Sequence, residues 1–487
     1  MEGQKRTPVI IDTDPGVDDA IAILLALASP EIEILAIIVC FGNTDVHSAW
    51  LSRPSYTYSA YALLNAVWNN SSNIYKLYQA VGRQIAAHPE DKEKFPNYTP
   101  DVPPILALGP DGPLEGSRHF ARYFHGRWVT YLEGGLVYTD EFCRDGLGGI
   151  TERHPELNVW SVDKADGFKA NFVPTTKSGV EVALALLNTW PKRSITYVAL
   201  GPLTNLASLN REHHQTVNDR IGRVIIMGGA LDVPGNTSPV AEFNFLADPY
   251  AAKGLLCPVV QGQGLPLERV LLVTLDVTRS HKLPFTFYIQ HVDPDFDSTT
   301  NPSVATEKSP VSHFTSSFLE RTREVLLDLG QDTMELHDVV AMWCAIDNPP
   351  EAFAKEHNLP SLSPGWAAAK RKFDIERTGE LTRGMMVVDR RDESVHGPGV
   401  IRSQWQPFLE ETYQCHGSLE STVIPAQLEA EMESEGVPSG PDGCMGHQTD
   451  HGGSIGGLVD VACVIKTPGE DALVRLLVKR VWGVDTQ

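Results

Sequence analysis

No stretch of the 487 residues stays apolar over the roughly 18 positions that a membrane-crossing helix needs. Met1 to Pro8 is short and polar and lacks the apolar centre of a secretory signal. The chain therefore reads as soluble and cytoplasmic, without a membrane partner. Basic residues are also scarce: 40 Lys and Arg stand against 62 Asp and Glu, a formal net charge of -22. That balance argues against nucleic acid, which is held through its phosphates by cationic surfaces. The seven cysteines (Cys40, Cys143, Cys257, Cys344, Cys415, Cys444, Cys463) include no close-spaced pair, so neither a disulfide framework nor a thiolate zinc site is indicated. What is left, 42% hydrophobic and 21% charged, is ordinary globular usage with enough apolar mass for a large core.

The most informative stretch is Val9-Ile10-Ile11-Asp12-Thr13-Asp14-Pro15-Gly16-Val17-Asp18-Asp19-Ala20. A β-branched run enters a cluster of four aspartates, and the pattern Ile21, Ile23, Leu24, Leu25, Leu27 follows, which predicts strand, sharp turn and helix. In an open parallel sheet such a turn lies at the carboxyl end of a strand, where this architecture binds its ligands. Four carboxylates in so short a span raise one another's pKa values unless a positive charge neutralises them. A helix N-cap uses one or two acids, not four. An all-oxygen donor set selects a hard cation, calcium or magnesium.

Asp12 to Asp19 resembles the amino-terminal signature of the inosine-uridine-preferring nucleoside hydrolases. The resemblance implies an open, mostly parallel α/β sheet flanked by helices (Rossmann-like), with its site at the carboxyl ends of the strands. It also implies hydrolysis of the N-glycosidic bond of ribonucleosides with Ca²⁺, and assembly as a homodimer or homotetramer.

Along the chain, Ile32 to Val39 is a second apolar strand ending in Phe41-Gly42-Asn43, completing a βαβ rhythm. By resemblance, Asn43 contacts the ribose. Pro104 to Gly109 reads as a strand, Gly179 to Leu187 as a helix, and Ile195 to Ala207 as strand, turn and helix. A strand that stops at Gly201-Pro202 leaves the Leu200 carbonyl without a ladder partner, and the family gives this carbonyl to calcium. After the strand Arg223 to Gly229, Glu242-Phe243-Asn244-Phe245-Leu246-Ala247-Asp248-Pro249 resembles a second family block. A carboxylate and an amide two apart in an extended segment would face the same side. Carried over, Asn236 and Glu242 hold the ribose 5'-hydroxyl and Asn244 the 2'- and 3'-hydroxyls. Asp248 before Pro249 reads as an N-cap without chemistry. Val270 to Val277 is expected as a strand, Val311 to Leu329 as a helix, and Leu336-His337-Asp338 opens another helix.

Resemblance assigns the calcium ligands to Asp14, Asp19, Leu200 and Asp338, the general base to Asp14, which acts on a calcium-held water, and the 2'-hydroxyl contact to Asp18. His337 faces the leaving base, with His125 a second residue for that end of the pocket. The chain is expected to form a single domain over residues 1–487, with insertions at about 50–73, 128–144 and 438–462 that interrupt otherwise regular patterns, as retained introns would. The middle one parts His125-Gly126 from Asp145-Gly146-Leu147-Gly148-Gly149, the two halves of one family motif. Two other readings compete. A haloacid-dehalogenase-like phosphatase also opens on strand-Asp-x-Asp, but no later Gly-Asp-x-x-x-Asp block occurs here. A nucleoside-binding protein with impaired catalysis is the other, should the insertions block the pocket.

Overall fold

A computed structural model describes residues 6–43, 68–119, 128–132, 135–139, 145–159, 171–258, 260, 262–298, 301–306, 308–350, 359–388 and 459–485. The described residues belong to one compact unit, Met1–Val388 with Val459–Gln487. Among them, no helix is long and apolar enough to cross a membrane.

The strands are β1 (Thr7–Thr13), β2 (Ile32–Val39), β3 (Ile105–Leu108), β4 (Trp128–Leu132), β5 (Gly135–Thr139), β6 (Val173–Ser178), β7 (Ile195–Ala199), β8 (Ile221–Met227), β9 (Val270–Val273), β10 (Lys282–Pro284), β11 (Thr333–Glu335), β12 (Ala367–Ile375), β13 (Met386–Val388) and β14 (Val459–Lys466). Ten of them form one sheet in the order β13-β12-β14-β9-β8-β7-β1-β2-β3-β6. From β14 to β6 every pairing is parallel; β12 alone runs against the rest, pairing antiparallel with both β14 and β13. The chain works outward from β1 through β2 and β3 to β6, then returns to lay β7 on the other side of β1. That reversal puts the topological switch point between β1 and β7, where ligands bind in this class of sheet.

The central strands form because β-branched and aliphatic residues run along both of their faces. β1, β2 and β7 are buried almost throughout, as expected of a sheet covered on both sides. Beyond Asp18 and Asp19 in its first turn, helix α1 (Val17–Leu27) is apolar all round, with Ile21, Ile23, Leu24, Leu25 and Leu27 fully buried. Each such side chain contributes about 1.5–3 kcal/mol by leaving water, so the turn that starts α1 is anchored by the core. Further helices are α2 (Trp68–Ala87), α3 (Gly179–Thr189), α4 (Thr204–Arg220), α5 (Phe243–Ala247), α6 (Pro249–Leu256), α7 (Pro310–Asp328), α8 (His337–Asp347) and α9 (Glu470–Leu477). At the start of α3, Glu181 N–H donates to Ser178 Oγ at 3.2 Å and Ser178 N–H to Glu181 Oε2 at 2.7 Å, a capping box.

Three expectations differ in detail from what forms. The run from Val270 stops being a strand at Val273, because Thr274 begins a short helix, Leu275–Thr278, whose first N–H donates to Gly229 O. Residues 459–462, expected within an irregular insertion, belong to β14, which pairs with β9 and β12 inside the main sheet. Helix α2 begins at Trp68 and so takes in the end of the segment 50–73. β4 and β5, inside the segment 128–144, form a separate antiparallel pair.

Candidate active site

The carboxyl ends of β1 and β7 and the first turns of α1 and α8 bring together residues from four parts of the chain. Asp14 and Asp19 lie within 1% of full burial and Asp338 is 4% exposed. Asp18 is half-buried. Carboxylate oxygens of Asp18, Asp19 and Asp338 stand within 4.8 Å of one another. Asp14 sits beside this trio: the charge of Asp19 acts on it, and its own charge acts on Asp338. Two glycines make room for the Asp14 side chain: a Cβ on Gly42 would fall 2.0 Å from Oδ2 and one on Gly201 2.5 Å from Oδ1. Gly42 also has φ +153°, which side-chain-bearing residues rarely adopt.

Hydrogen bonds fix these acids in place. Asn43 donates its backbone N–H to Asp14 Oδ2 at 2.7 Å and its side-chain amide to Asp14 O and Asp19 Oδ2, both at 3.0 Å. Asp19 also accepts from Thr13 Oγ1 and from Gly16 N–H. Asn43 thus ties the two acid positions together, and the donors assigned to ribose are engaged on aspartates. Behind them Asp12 accepts from Tyr197 Oη at 2.6 Å, and Asn205 donates to the same hydroxyl at 2.7 Å.

Burial dominates the electrostatics. It lifts Asp14 well above the usual carboxylate range, and repulsion from Asp19 adds to it. Asp338 is raised well above that range by burial and then by Asp18, Asp19 and Asp14. Burial raises Asp19 to about 6 and Asp12 to about 7. Ionised together, these groups would leave several negative charges in a low-dielectric setting, which is untenable without a counter-charge. The donors are oxygens only, and the residues present fit a hard divalent cation rather than a soft one.

Some expected roles meet a different local structure. The Leu200 carbonyl does not lack a partner: Asn244 Nδ2 donates to it at 2.5 Å, while Leu200 N–H donates to Asp12 O at 2.8 Å. A carbonyl oxygen has two lone pairs, so one remains for a cation. Glu242 is not part of an extended segment. It caps α5, and its carboxylate accepts the N–H groups of Gly229, Asn244 and Phe245 at 2.9, 2.8 and 3.1 Å. Asn236 Oδ1 accepts from Phe243 N–H at 3.0 Å. Asp248 caps α6 as expected, accepting from Ala251 N–H at 3.0 Å. His337 sits at the start of α8, with Nδ1 2.8 Å from Thr278 Oγ1 and Nε2 3.2 Å from Glu335 Oε2. His125 lies outside the described residues.

Other residues support the site through contacts that the sequence does not announce. Asn73, buried in α2, donates to Pro15 O at 2.9 Å and Asp145 O at 2.6 Å, linking the aspartate turn to the segment after residue 144. Asp145 in turn accepts N–H groups from Leu147, Gly149 and Thr151 at 3.0, 2.9 and 2.8 Å. Tyr197 and Asn205 are buried polar residues linked to Asp12 across neighbouring strands, so only the fold reveals them.

This fold and this oxygen-only acid cluster define a metal-dependent α/β enzyme. The chain matches the family described as inosine-uridine preferring nucleoside hydrolase over residues 9–407, and it belongs to that family. It is 30% identical to the pyrimidine-specific ribonucleoside hydrolase RihA of Citrobacter koseri over 383 residues, covering 78% of this chain and 88% of the relative. The RihA of Klebsiella pneumoniae subsp. pneumoniae is 27% identical over the same shares. Among solved structures, an inosine-guanosine nucleoside hydrolase superposes with a TM-score of 0.56 at 21% identity, over 99% of this chain and all of the other. A plant nucleoside hydrolase, PpNRh1, gives 0.55 at 19% identity, over 98% and 99%. These two likenesses bear on the fold. The chain is accordingly a ribonucleoside hydrolase that cleaves the N-glycosidic bond, and the phosphatase reading falls away.

The raised carboxyl groups have a consequence for stability. Asp19 and Asp12 bind protons more tightly folded than unfolded, so their contribution is complete near pH 4 and is lost as pH rises toward 6 to 7. In chelator, the melting temperature is expected to fall between pH 5 and pH 7, and Asp19→Asn should flatten that slope. A chelated wild type whose stability rises across this window would contradict the charge balance described here.

Proposed function

We propose that this ribonucleoside hydrolase works with calcium held by Asp14, Asp19, Asp338 and the Leu200 carbonyl. The observation that carries the reading is the group of buried carboxyl groups, each pushed up by burial and by its neighbours, at the switch point of the sheet. Calcium bound there would orient the 2'- and 3'-hydroxyls and polarise a water.

The chain's own residues then have distinct tasks. Cleavage passes through an oxocarbenium-like sugar, attacked by water on one face while the base departs on the other. Asp14, pinned by Asn43 N–H and by the narrow gap between Gly42 and Gly201, takes the proton of the attacking water. Asp18, the least buried acid of the group, accepts a hydrogen bond from the 2'-hydroxyl. Asn244 offers Oδ1 to the diol, its Nδ2 being engaged on Leu200 and Met227. Asn236 and Glu242 are assigned to the 5'-hydroxyl end, and His125 to the base end. His337, placed between Thr278 and Glu335, donates a proton or hydrogen bond to the leaving base. The reading places the protein in purine or pyrimidine salvage in the cytoplasm, as a homodimer or homotetramer.

Uridine and inosine are the substrates that test it. Asp14→Ala should lower kcat by about 10²–10⁴-fold with an unchanged circular dichroism spectrum, and near-wild-type turnover would refute the base assignment. His337→Ala should slow inosine far more than a nitrophenyl riboside, whose good leaving group needs no proton. Equal losses on both substrates would remove His337 from that role.

A further inference from the structure

A second cluster of titratable groups lies away from the aspartates. His154 follows the short helix Ile150–Arg153, Glu156 is two residues on, and His313 is in the first turn of α7. His154 and His313 are 1% and 4% exposed, whereas the Glu156 side chain is 47% exposed and opens the cluster to solvent. His154 Nδ1 and His313 Nε2 converge on one atom, Glu156 Oε1, at 3.2 and 3.1 Å. The three ligand atoms lie within 4.8 Å of one another.

From these contacts we infer a zinc-type site formed by His154 Nδ1, Glu156 Oε1 and His313 Nε2, which ties the segment 150–157 to α7. Three features support it. First, ligands about 2.0–2.1 Å from a tetrahedral ion stand about 3.3 Å apart, close to the two nitrogen–oxygen separations here. Second, each ring is oriented through its far nitrogen, as metal-bound histidines are. His154 Nε2 is 3.1 Å from Glu320 Oε2, and His313 Nδ1 is 3.1 Å from Ser303 Oγ. Third, the proton count of His154 is unbalanced. Glu320 is buried, paired with Arg153 at 3.1 Å and accepts Ser303 N–H, so it stays an acceptor and takes the Nε2 proton. A neutral imidazole then presents a bare lone pair from Nδ1 to the Glu156 carboxylate, and a cation between them removes that repulsion. Two imidazoles and one carboxylate, with a fourth position open to water, favour zinc over calcium.

Zinc here would hold down the stretch that begins at Asp145 and that Asn73 links to the aspartate turn. The competing arrangement is a doubly protonated His154 between Glu156 and Glu320 with no metal. To separate them, full-length protein saturated with calcium is exposed to Zn²⁺ or Co²⁺, passed through gel filtration and assayed for metal. Wild type should retain about one equivalent, and Co²⁺ should give the visible absorption of a tetrahedral site. His313→Gln and Glu156→Gln should each weaken retention by about tenfold or more, with calcium-dependent inosine hydrolysis kept. Glu156→Gln, at a half-exposed side chain, serves if the buried His313 variant does not fold. Wild type that retains no metal, or retention unchanged in the folded variants, overturns the site.

Discussion

Buried negative charge is the constraint on which this site depends. Asp14, Asp19 and Asp338 come from the end of β1, the start of α1 and the start of α8, and each is almost wholly removed from water. A packed interior tolerates carboxylates only when they are protonated, hydrogen-bonded or matched by a cation. The hydrogen bonds from Asn43, Thr13 and Gly16 meet part of this need. A dication would meet the rest, and in the proposed reading the same ion would gather the hydroxyls of a ribose, so that binding and chemistry would follow from a single electrostatic deficit.

The fold supplies the precision. Reversal of strand order at β1 puts the topological switch point between β1 and β7, and Asp14 and Leu200 directly follow the carboxyl ends of these two strands. Leu200 N–H donates to Asp12 O, which registers the two strand ends against each other. Gly42 and Gly201 then let the neighbouring backbones close on the Asp14 carboxylate from both sides. Behind this layer, α1 presents an unbroken apolar surface to the core, so the turn carrying four aspartates has little freedom to relax away from its ligands.

Much of this was legible in the chain itself, because the parts that matter are local. The run Val9 to Ala20 contains its own strand, turn and helix start, and the site's acids other than Asp338 fall within it. Ile32–Val39 and Ile195–Ala199 were equally plain as apolar strands. What escaped the sequence is long-range or cooperative. Asn73 lies where the pattern deteriorates, and its partners are 58 and 72 residues away. Glu242 and Asn244 looked extended from spacing alone, but three backbone N–H groups converge on the Glu242 carboxylate and begin a helix instead. β14 joins the sheet only because β9 and β12 flank it. His154 and His313 are 159 positions apart, so a sequence scan for clustered imidazoles finds nothing where the fold makes a pair.

The central claim is that one calcium ion is shared by Asp14, Asp19, Asp338 and the Leu200 carbonyl. A crystal structure of the calcium-loaded protein with a ribose analogue tests it most directly. The account predicts a single ion contacting all four of those residues and the 2'- and 3'-hydroxyls of the sugar. An ion held by Asp18, Asp19 and Asp338 without Asp14, or a ribose bound with no ion beneath it, would contradict it.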